Sequence, residues 1–451
     1  MPVRISNPNL IICSFFALFL IIGVQLVPDY GISWDEAVQR RHGIVTFDYV
    51  NEKLNLGFPK YRPNHELKTY RERHYGVLFS TSCFILEKAF GLEEDFRGRY
   101  LMRHYLNFFL FWLGSIFFFK ILKYRLNDWK FALIGTLFLI CSPRIFANAF
   151  YNSKDLILLP WYIISTYTMI RFLESRNLKY ALIHALASAV VINTRIVGIL
   201  IPVLTVFWLI LDWVHGYFHR KEPTKVSDTS KVSDTWKLPI PVYLILTFGL
   251  SILFWPWLWE APISHFIESW NAMSKFNWGG KNLFFGEFIP GDKMPWFYIP
   301  VWILITTPIL YFVVIFIGIF QTLKNAFKSL KIRQLYRDKN QKIDLILCSL
   351  FVVPLLAIIV KESTVYNGWR QLYFVYPPIL ATGFIGIWML RNSVFKKLEQ
   401  RNSFNLKVLI LCLPTIFWMF KNHPHQNVYF NVLAGKNKFE KFDLEYWGLS
   451  Y

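Results

Sequence analysis

Apolar residues recur along this chain in long runs separated by short polar turns. The runs cover residues 10–27, 104–122, 131–150, 156–173, 180–194, 197–214, 238–255, 296–320, 345–360, 372–390 and 406–420. Most approach the ~20 residues that an α-helix needs to cross about 30 Å of hydrocarbon. They lack the alternation of barrel strands, and lipid offers no partner to an open backbone, so the runs must be helices. The pattern predicts an all-α polytopic membrane protein of about 11 transmembrane helices.

Two interruptions are too long to be mere connectors. Residues 28–103 form a polar and aromatic first loop, and loops of that length usually carry structure or function. Within it, 75–90 is apolar but short and carries Glu87 and Lys88, which suits a helix lying at the membrane interface. The second long loop, 256–295, holds Trp257, Trp259, Trp270, Trp278 and a Gly279-Gly280 turn. The expected organisation is a membrane domain over 1–420, with these two loops external, followed by an external tail over 421–451. A small tandem copy, Lys225-Val226-Ser227-Asp228-Thr229 and Lys231-Val232-Ser233-Asp234-Thr235, reads as a tolerated insertion in a flexible loop.

Composition sharpens this picture. With 54% hydrophobic and only 17% charged residues, a string of soluble domains is excluded. The net charge of +20 invites a nucleic-acid partner, but Lys and Arg cluster in the short turns, as a topology signal does. We therefore expect a membrane and no nucleic acid. The turns after the second, fourth, sixth, eighth and tenth runs are the basic ones, and 324–342 alone carries seven Lys or Arg. Those turns belong inside, so the amino terminus is expected in the cytoplasm and the carboxy terminus outside. The first run follows Arg4 and lacks a small-residue cleavage pattern, so it is expected to be a retained span. Cys13, Cys141, Cys348 and Cys412 fall inside runs and Cys83 stands alone, which gives neither a disulfide framework nor a metal spacing.

This orientation gathers the candidate chemistry on the external face. Asp35 and Glu36, in Gly31-Ile32-Ser33-Trp34-Asp35-Glu36, stand just beyond the first run. A carboxylate there can accept a proton from an attacking hydroxyl. The plainer reading is an acidic pair capping a loop helix, with Ser33 or Asp35 as N-cap. Asp155 opens the fourth run, where helix capping is again the plain alternative. Arg195 and Arg370 stand at outer run ends, where a guanidinium binds phosphate bidentately or anchors a helix by snorkelling. His65, Glu66, His74 and His104 lack metal-ligand spacing, so no metal is expected. The Trp and Tyr residues suit an interfacial belt, although sugar rings also stack on such faces.

Taken in order, these pieces resemble the GT-C superfamily of polyprenyl-phosphate-sugar-dependent glycosyltransferases, in particular its protein O-mannosyltransferase-like branch and bacterial relatives. The resemblance is carried by Ser33-Trp34-Asp35-Glu36, Arg73-His74-Tyr75-Gly76, the stretch 99–104, Asn152-Ser153-Lys154-Asp155, Trp255-Pro256-Trp257-Leu258-Trp259 and 367–378. It implies Asp35 as catalytic base, Glu36 and Asp155 as further acidic positions, and His74, Tyr75, Trp257 and Trp259 as substrate-loop residues. It also implies a sugar donor on a lipid phosphate as co-substrate, with no other cofactor, and inverting transfer to a protein, lipid or glycan acceptor. Arg195 or Arg370 would meet the donor phosphate. A bacterial inner membrane is the expected location. Some relatives continue into an external soluble domain, which is not expected here. Two other classes compete. A transporter or flippase predicts related halves and mid-membrane charges, and an envelope assembly protein needs no converging carboxylates.

Overall fold

The computed structural model describes residues 7–219, 238–274, 276 and 278–449; the duplicated pentapeptides lie outside them. Helix α1 (Pro8–Leu26) starts with proline at its first turn and with the Asn7 side chain accepting from the Asn9 N–H at 3.1 Å. The first loop then folds as α2 (Glu36–Leu54) and α3 (Leu78–Ala89), the latter within the expected interfacial segment. Buried Glu87 of α3 fastens this layer: it accepts from Arg40 of α2 at 3.0 Å and from Arg103 of the next helix at 3.3 Å. That helix, α4 (Phe96–Leu126), is capped by Asp95, which accepts from the Gly98 N–H at 2.9 Å.

The run 131–150, expected as one span, is instead two helices. Helices α5 (Trp129–Ile140) and α6 (Pro143–Tyr151) meet at a bend of 68°. Pro143 has no N–H to continue the preceding helix, and it sits at the first turn of α6, where none is needed. Every residue of α6 is buried, so the bend drives this segment into the protein and brings 152–155 back to the site. Next come α7 (Leu158–Ser175), α8 (Leu178–Thr194), α9 (Leu200–His219), α10 (Pro239–Phe254) and α11 (Pro262–Ser274). A hairpin of β1 (Lys281–Phe284) and β2 (Glu287–Pro290) follows, antiparallel with Lys281 opposite Pro290. Then come α12 (Tyr298–Thr306), α13 (Ile309–Lys331), α14 (Lys339–Val360), α15 (Tyr376–Val394), α16 (Leu398–Ile410) and α17 (Leu413–Lys421), with a last short helix, α18 (Lys438–Lys441). Pro308 divides the expected eighth span between α12 and α13 by the same physics.

Helices thus stand at all eleven apolar runs. Seven of the described spans are long and apolar enough to cross a membrane, and the bent pair makes an eighth. Leu178–Thr194 and Pro239–Phe254 are apolar but shorter. The bundle interior is aromatic and aliphatic, with Phe111, Phe118, Phe138, Tyr162, Tyr311 and Phe384 fully enclosed. Its outer faces carry Leu18, Ile21, Phe207, Ile245, Phe248, Phe316 and Phe320, which water would not tolerate in such a band and lipid does. This is a multi-pass integral membrane protein.

The basic turns come together at one end of the bundle. Arg125 pairs with Asp344 at 2.6 Å, Arg391 with Asp128 at 2.7 Å, and Lys342 and Arg176 with Asp212 at 2.5 and 3.0 Å. Each buried charge there has an opposite charge, as the desolvation cost of an ion demands.

Candidate active site

The sequence Ser33-Trp34-Asp35-Glu36 sends its two carboxylates in different directions. Glu36 is turned inward and accepts from the Ser33 N–H at 2.7 Å and the Ser33 hydroxyl at 3.1 Å, and it meets His104 Nε2 at 2.8 Å. It locks the entry of α2 onto α4. Asp35 occupies the N-cap position of α2, yet its side chain makes no capping bond. Instead Oδ1 accepts from the Tyr446 hydroxyl at 2.8 Å, and Oδ2 lies 3.3 Å from Lys154 Nζ. Burial alone would raise the Asp35 pKa, but Lys154, then Arg370 and the Tyr446 bond outweigh it and hold the carboxyl below its usual value. Asp35 is therefore ionised across the neutral range.

Asp155 does not cap α7 either; the N-cap of that helix is Ile157. The Asn152 side chain accepts from the Asp155 N–H at 2.8 Å, a turn that fixes the direction of the carboxylate. Asp155 is buried, and its carboxylate is shared by two guanidinium groups, Arg195 on Oδ1 and Arg370 on Oδ2. Arg195 arrives in the extended break between α8 and α9, and Arg370 at the start of the 3-10 turn that leads into α15. The ring of Tyr446 lies 4.1 Å from the Arg370 guanidinium, which links the Asp155 group to Asp35.

Gly76 explains how the first loop can reach this place. A Cβ there would lie 2.0 Å from the Asn193 carbonyl oxygen, so only glycine lets Arg73-His74-Tyr75-Gly76 press against the end of α8 beside Arg195. Tyr75 then lies with its ring 4.8 Å from Lys154 Nζ, and burial pushes its hydroxyl up to about 12.

Arg195 and Tyr75 are among the polar residues that line a cavity of about 180 Å³. Ile196, Val197, Leu200, Pro354, Ile358 and Leu372 make its wall mostly apolar, and Lys361 stands at another point of the rim. A smaller polar pocket lies on the Arg370 side, between Arg144, Asn367, Asp443, Glu445, Tyr446 and Trp447. Within the ion-paired group itself, two carboxylates (Asp35 and Asp155) meet three cations (Lys154, Arg195 and Arg370), an excess of one positive charge in a poorly solvated place, with Arg144, Asp443 and Glu445 in the adjoining pocket. Such a site favours an anion.

The structure thus unites Asp35, Asp155, Arg195, Arg370 and Tyr75. His74 stays on the rim of the apolar cavity, with Nδ1 3.2 Å from the Ser269 hydroxyl. Trp257 is stacked on His265 at 3.8 Å, and Trp259 donates to the Ile252 carbonyl at 3.0 Å, so both pin the second loop and stand outside the cluster. Among the described residues, no group of three or more His, Cys, Asp or Glu is arranged to hold a metal. Lys154 and Tyr446 were missed by the sequence reading. Lys154 was within sight, beside Asp155 in a singled-out motif; Tyr446 is 411 residues from its partner, and no local pattern points to it.

These features define a class of protein, a helical membrane protein with an anion-attracting acid and arginine cluster where its helices end. Residues 105–223, which include Lys154, Asp155 and Arg195, match the family described as dolichyl-phosphate-mannose-protein mannosyltransferase. Over its length the chain is similar to the crystal structure of ArnT from Cupriavidus metallidurans bound to undecaprenyl phosphate. The TM-score is 0.51 with 14% identity, covering 92% of this chain and 71% of that one. At that identity the likeness is one of fold. No curated protein matches the chain by sequence.

Proposed function

We propose that this protein is an inverting glycosyltransferase that moves a sugar from a polyprenyl-phosphate carrier to an acceptor hydroxyl. The observation that carries the reading is Asp155 shared between Arg195, which lines the apolar cavity, and Arg370, which lines the small polar pocket, with an ionised Asp35 close by. The cavity suits the first isoprene units of a lipid, and the arginines suit its phosphate. A sugar held by that phosphate meets Asp35 at a depth fixed by the membrane, so little orientational freedom remains to be lost at the moment of reaction.

The step follows from those positions. The acceptor oxygen forms a bond to the anomeric carbon while the bond from that carbon to the phosphate oxygen breaks. Asp35 takes the acceptor proton. Arg195 and Arg370 stabilise the charge that gathers on the departing phosphate, and Asp155 keeps both guanidinium groups aimed. In this reading the countercharge is supplied by the protein, without a metal or other cofactor. Attack opposite the leaving phosphate inverts the anomeric centre.

The family match over 105–223 and the shared fold with a structure bound to undecaprenyl phosphate support the carrier class. The clustering of charge at helix ends also favours an enzyme over a transporter, which would keep ionisable groups at mid-membrane. By the positive-inside rule the site faces outward, with the amino terminus in the cytoplasm of a bacterial inner membrane. The test is release of labelled sugar from a polyprenyl-phosphate donor by purified protein, with a panel of hydroxyl acceptors. Transfer with inversion is expected. No transfer and no hydrolysis from any such donor would overturn the reading.

A further inference from the structure

The segment 442–449 crosses the site as a strap, and it is anchored on both sides. On one side Phe442 bridges to Phe284 of β1, and the Asp443 carboxylate accepts from the Leu283 N–H at 3.2 Å. In the middle, Glu445 accepts from the Trp447 and Leu449 N–H groups, at 2.8 Å in the second case, which folds the strap into a tight turn. On the other side Gly448 lies against Trp34, the neighbour of Asp35. Its φ is +74°, and a Cβ there would fall 2.2 Å from the indole nitrogen, so both conformation and space call for glycine. This construction holds two rings over Arg370, with Tyr446 at 4.1 Å and Trp447 at 5.1 Å from the guanidinium carbon.

We infer that Tyr446 is a positioning residue for Asp35, its hydroxyl donating to Oδ1 so that Oδ2 is presented to the acceptor hydroxyl. The inference rests on the reading of Asp35 as the base. Its ground is geometric. A carboxylate in the αR backbone of an N-cap, with no capping bond of its own, could rotate about χ1 and χ2. The Tyr446 bond at 2.8 Å removes that freedom, while the Lys154 contact at Oδ2 is the longer one, 3.3 Å. The phenol can serve only as a donor to a carboxylate that has no proton. Burial and the nearby Asp35 charge raise its pKa, so it keeps its own proton throughout the working range. The atoms then have distinct tasks. Oδ1 is occupied, Oδ2 receives the acceptor proton, and no proton leaves Tyr446.

The test is the pH dependence of turnover in Tyr446→Phe, with saturating lipid-phosphate-sugar donor. Phenylalanine keeps the ring over Arg370 and removes only the donor. Losing a hydrogen bond to a charged group should lower kcat about 10- to 100-fold, with the donor KM little changed. It should also move the acid limb of the profile to higher pH, because the ionised carboxylate loses a stabilising partner. A 3-fluorotyrosine at 446, a stronger donor of the same shape, should move that limb the other way. A purely structural tyrosine predicts no movement of the limb with either residue, and that result would overturn the inference. If Tyr446→Phe does not fold, the fluorotyrosine shift decides alone. The reading of Asp35 is separated by Asp35→Asn: full turnover there sinks the base itself, whereas a dead Asp35→Asn with unmoved limbs sinks only the role of Tyr446.

Discussion

At the basic-turn end of the bundle, Arg125 gives Nε and Nη2 to the two oxygens of Asp344, at 2.6 and 2.8 Å. Arg391 there divides its donors among Asp128, Asn405 and Asn392, at 2.7, 2.7 and 3.3 Å. At the opposite end Arg370 gives Nη1 to Asp155, while its Nε has no protein partner. The same Asp155 also serves Arg195. Both regions bury arginine against aspartate, but they spend the guanidinium differently. A fork that meets both oxygens of one carboxylate, or divides itself among several protein acceptors, is committed to them, and it holds helices together. A carboxylate shared by two forks leaves donors and positive charge at a cavity wall, which is what the proposed phosphate ligand needs. Chemistry is thus expected from the unsaturated cluster and stability from the saturated ones.

The largest expected effect breaks the comparison if it is absent. Asp35→Asn keeps the shape and the Tyr446 bond but removes the proton acceptor, so turnover should fall about a hundred- to ten-thousand-fold. Donor binding should change little, because this carboxylate acts on the acceptor. Capping alone would let Asn serve nearly as well as Asp, and activity would survive. Single-turnover rates measured beside donor affinity distinguish the two, and full turnover with an intact fold would move the search for the base to Asp155.

The matching change at the saturated end should spare catalysis. Asp344→Asn leaves Arg125 buried without its counter-charge, a loss of about 3–5 kcal/mol in stability. Thermal unfolding in detergent would register it, while turnover per folded molecule should stay close to that of the parent protein. A deep loss of turnover at unchanged stability would show that the two ends do not divide the work as argued.

A smaller effect sharpens the account of the unsaturated cluster. Arg370→Ala or Arg195→Ala should weaken donor binding by about 1.5–3 kcal/mol, the usual value of a hydrogen bond to a charged group. Titration with a polyprenyl phosphate reads this directly. If neither change moves the affinity, the arginines are snorkelling anchors and the phosphate sits elsewhere.

The two regions also differ in how far the sequence disclosed them. The basic turns were legible because topology is written in short-range composition, and the apolar runs because crossing a bilayer fixes a length. All eleven runs are helical, although the breaks before Pro143 and Pro308 were read through as continuous. Those prolines carried the local signal; it was outweighed by the apolar residues on both sides. At the site, Asp35, Asp155, Arg195 and Arg370 could be singled out because each stands at the end of a run. Their convergence could not be read, since it depends on the 68° bend and on the close approach at Gly76. Tyr446 was hidden for the same reason: the strap gains its place by packing on a hairpin and on Trp34, both far earlier in the chain.

The smallest expected effect concerns the residue next to the proposed base. Glu36 and Asp35 look alike in sequence, and the resemblance to GT-C enzymes paired them. In the fold Glu36 accepts from the Ser33 N–H and hydroxyl and meets His104, all within the protein. Glu36→Gln keeps one carbonyl oxygen for Ser33 but turns an N–H₂ toward a remaining donor. The cost should be near the value of one hydrogen bond, about 1 kcal/mol, and should appear as lower thermal stability. Turnover per folded molecule should hold within a few-fold, because Asp35 keeps Tyr446 and Lys154. The acid limb of the rate profile should move little, since the main partners that hold Asp35 ionised are Lys154, Arg370 and Tyr446. A collapse of turnover in Glu36→Gln as deep as that of Asp35→Asn, in protein that is still folded, would place Glu36 in the chemistry. The catalytic boundary would then run on the other side of the Asp35–Glu36 bond from where the hydrogen bonds draw it.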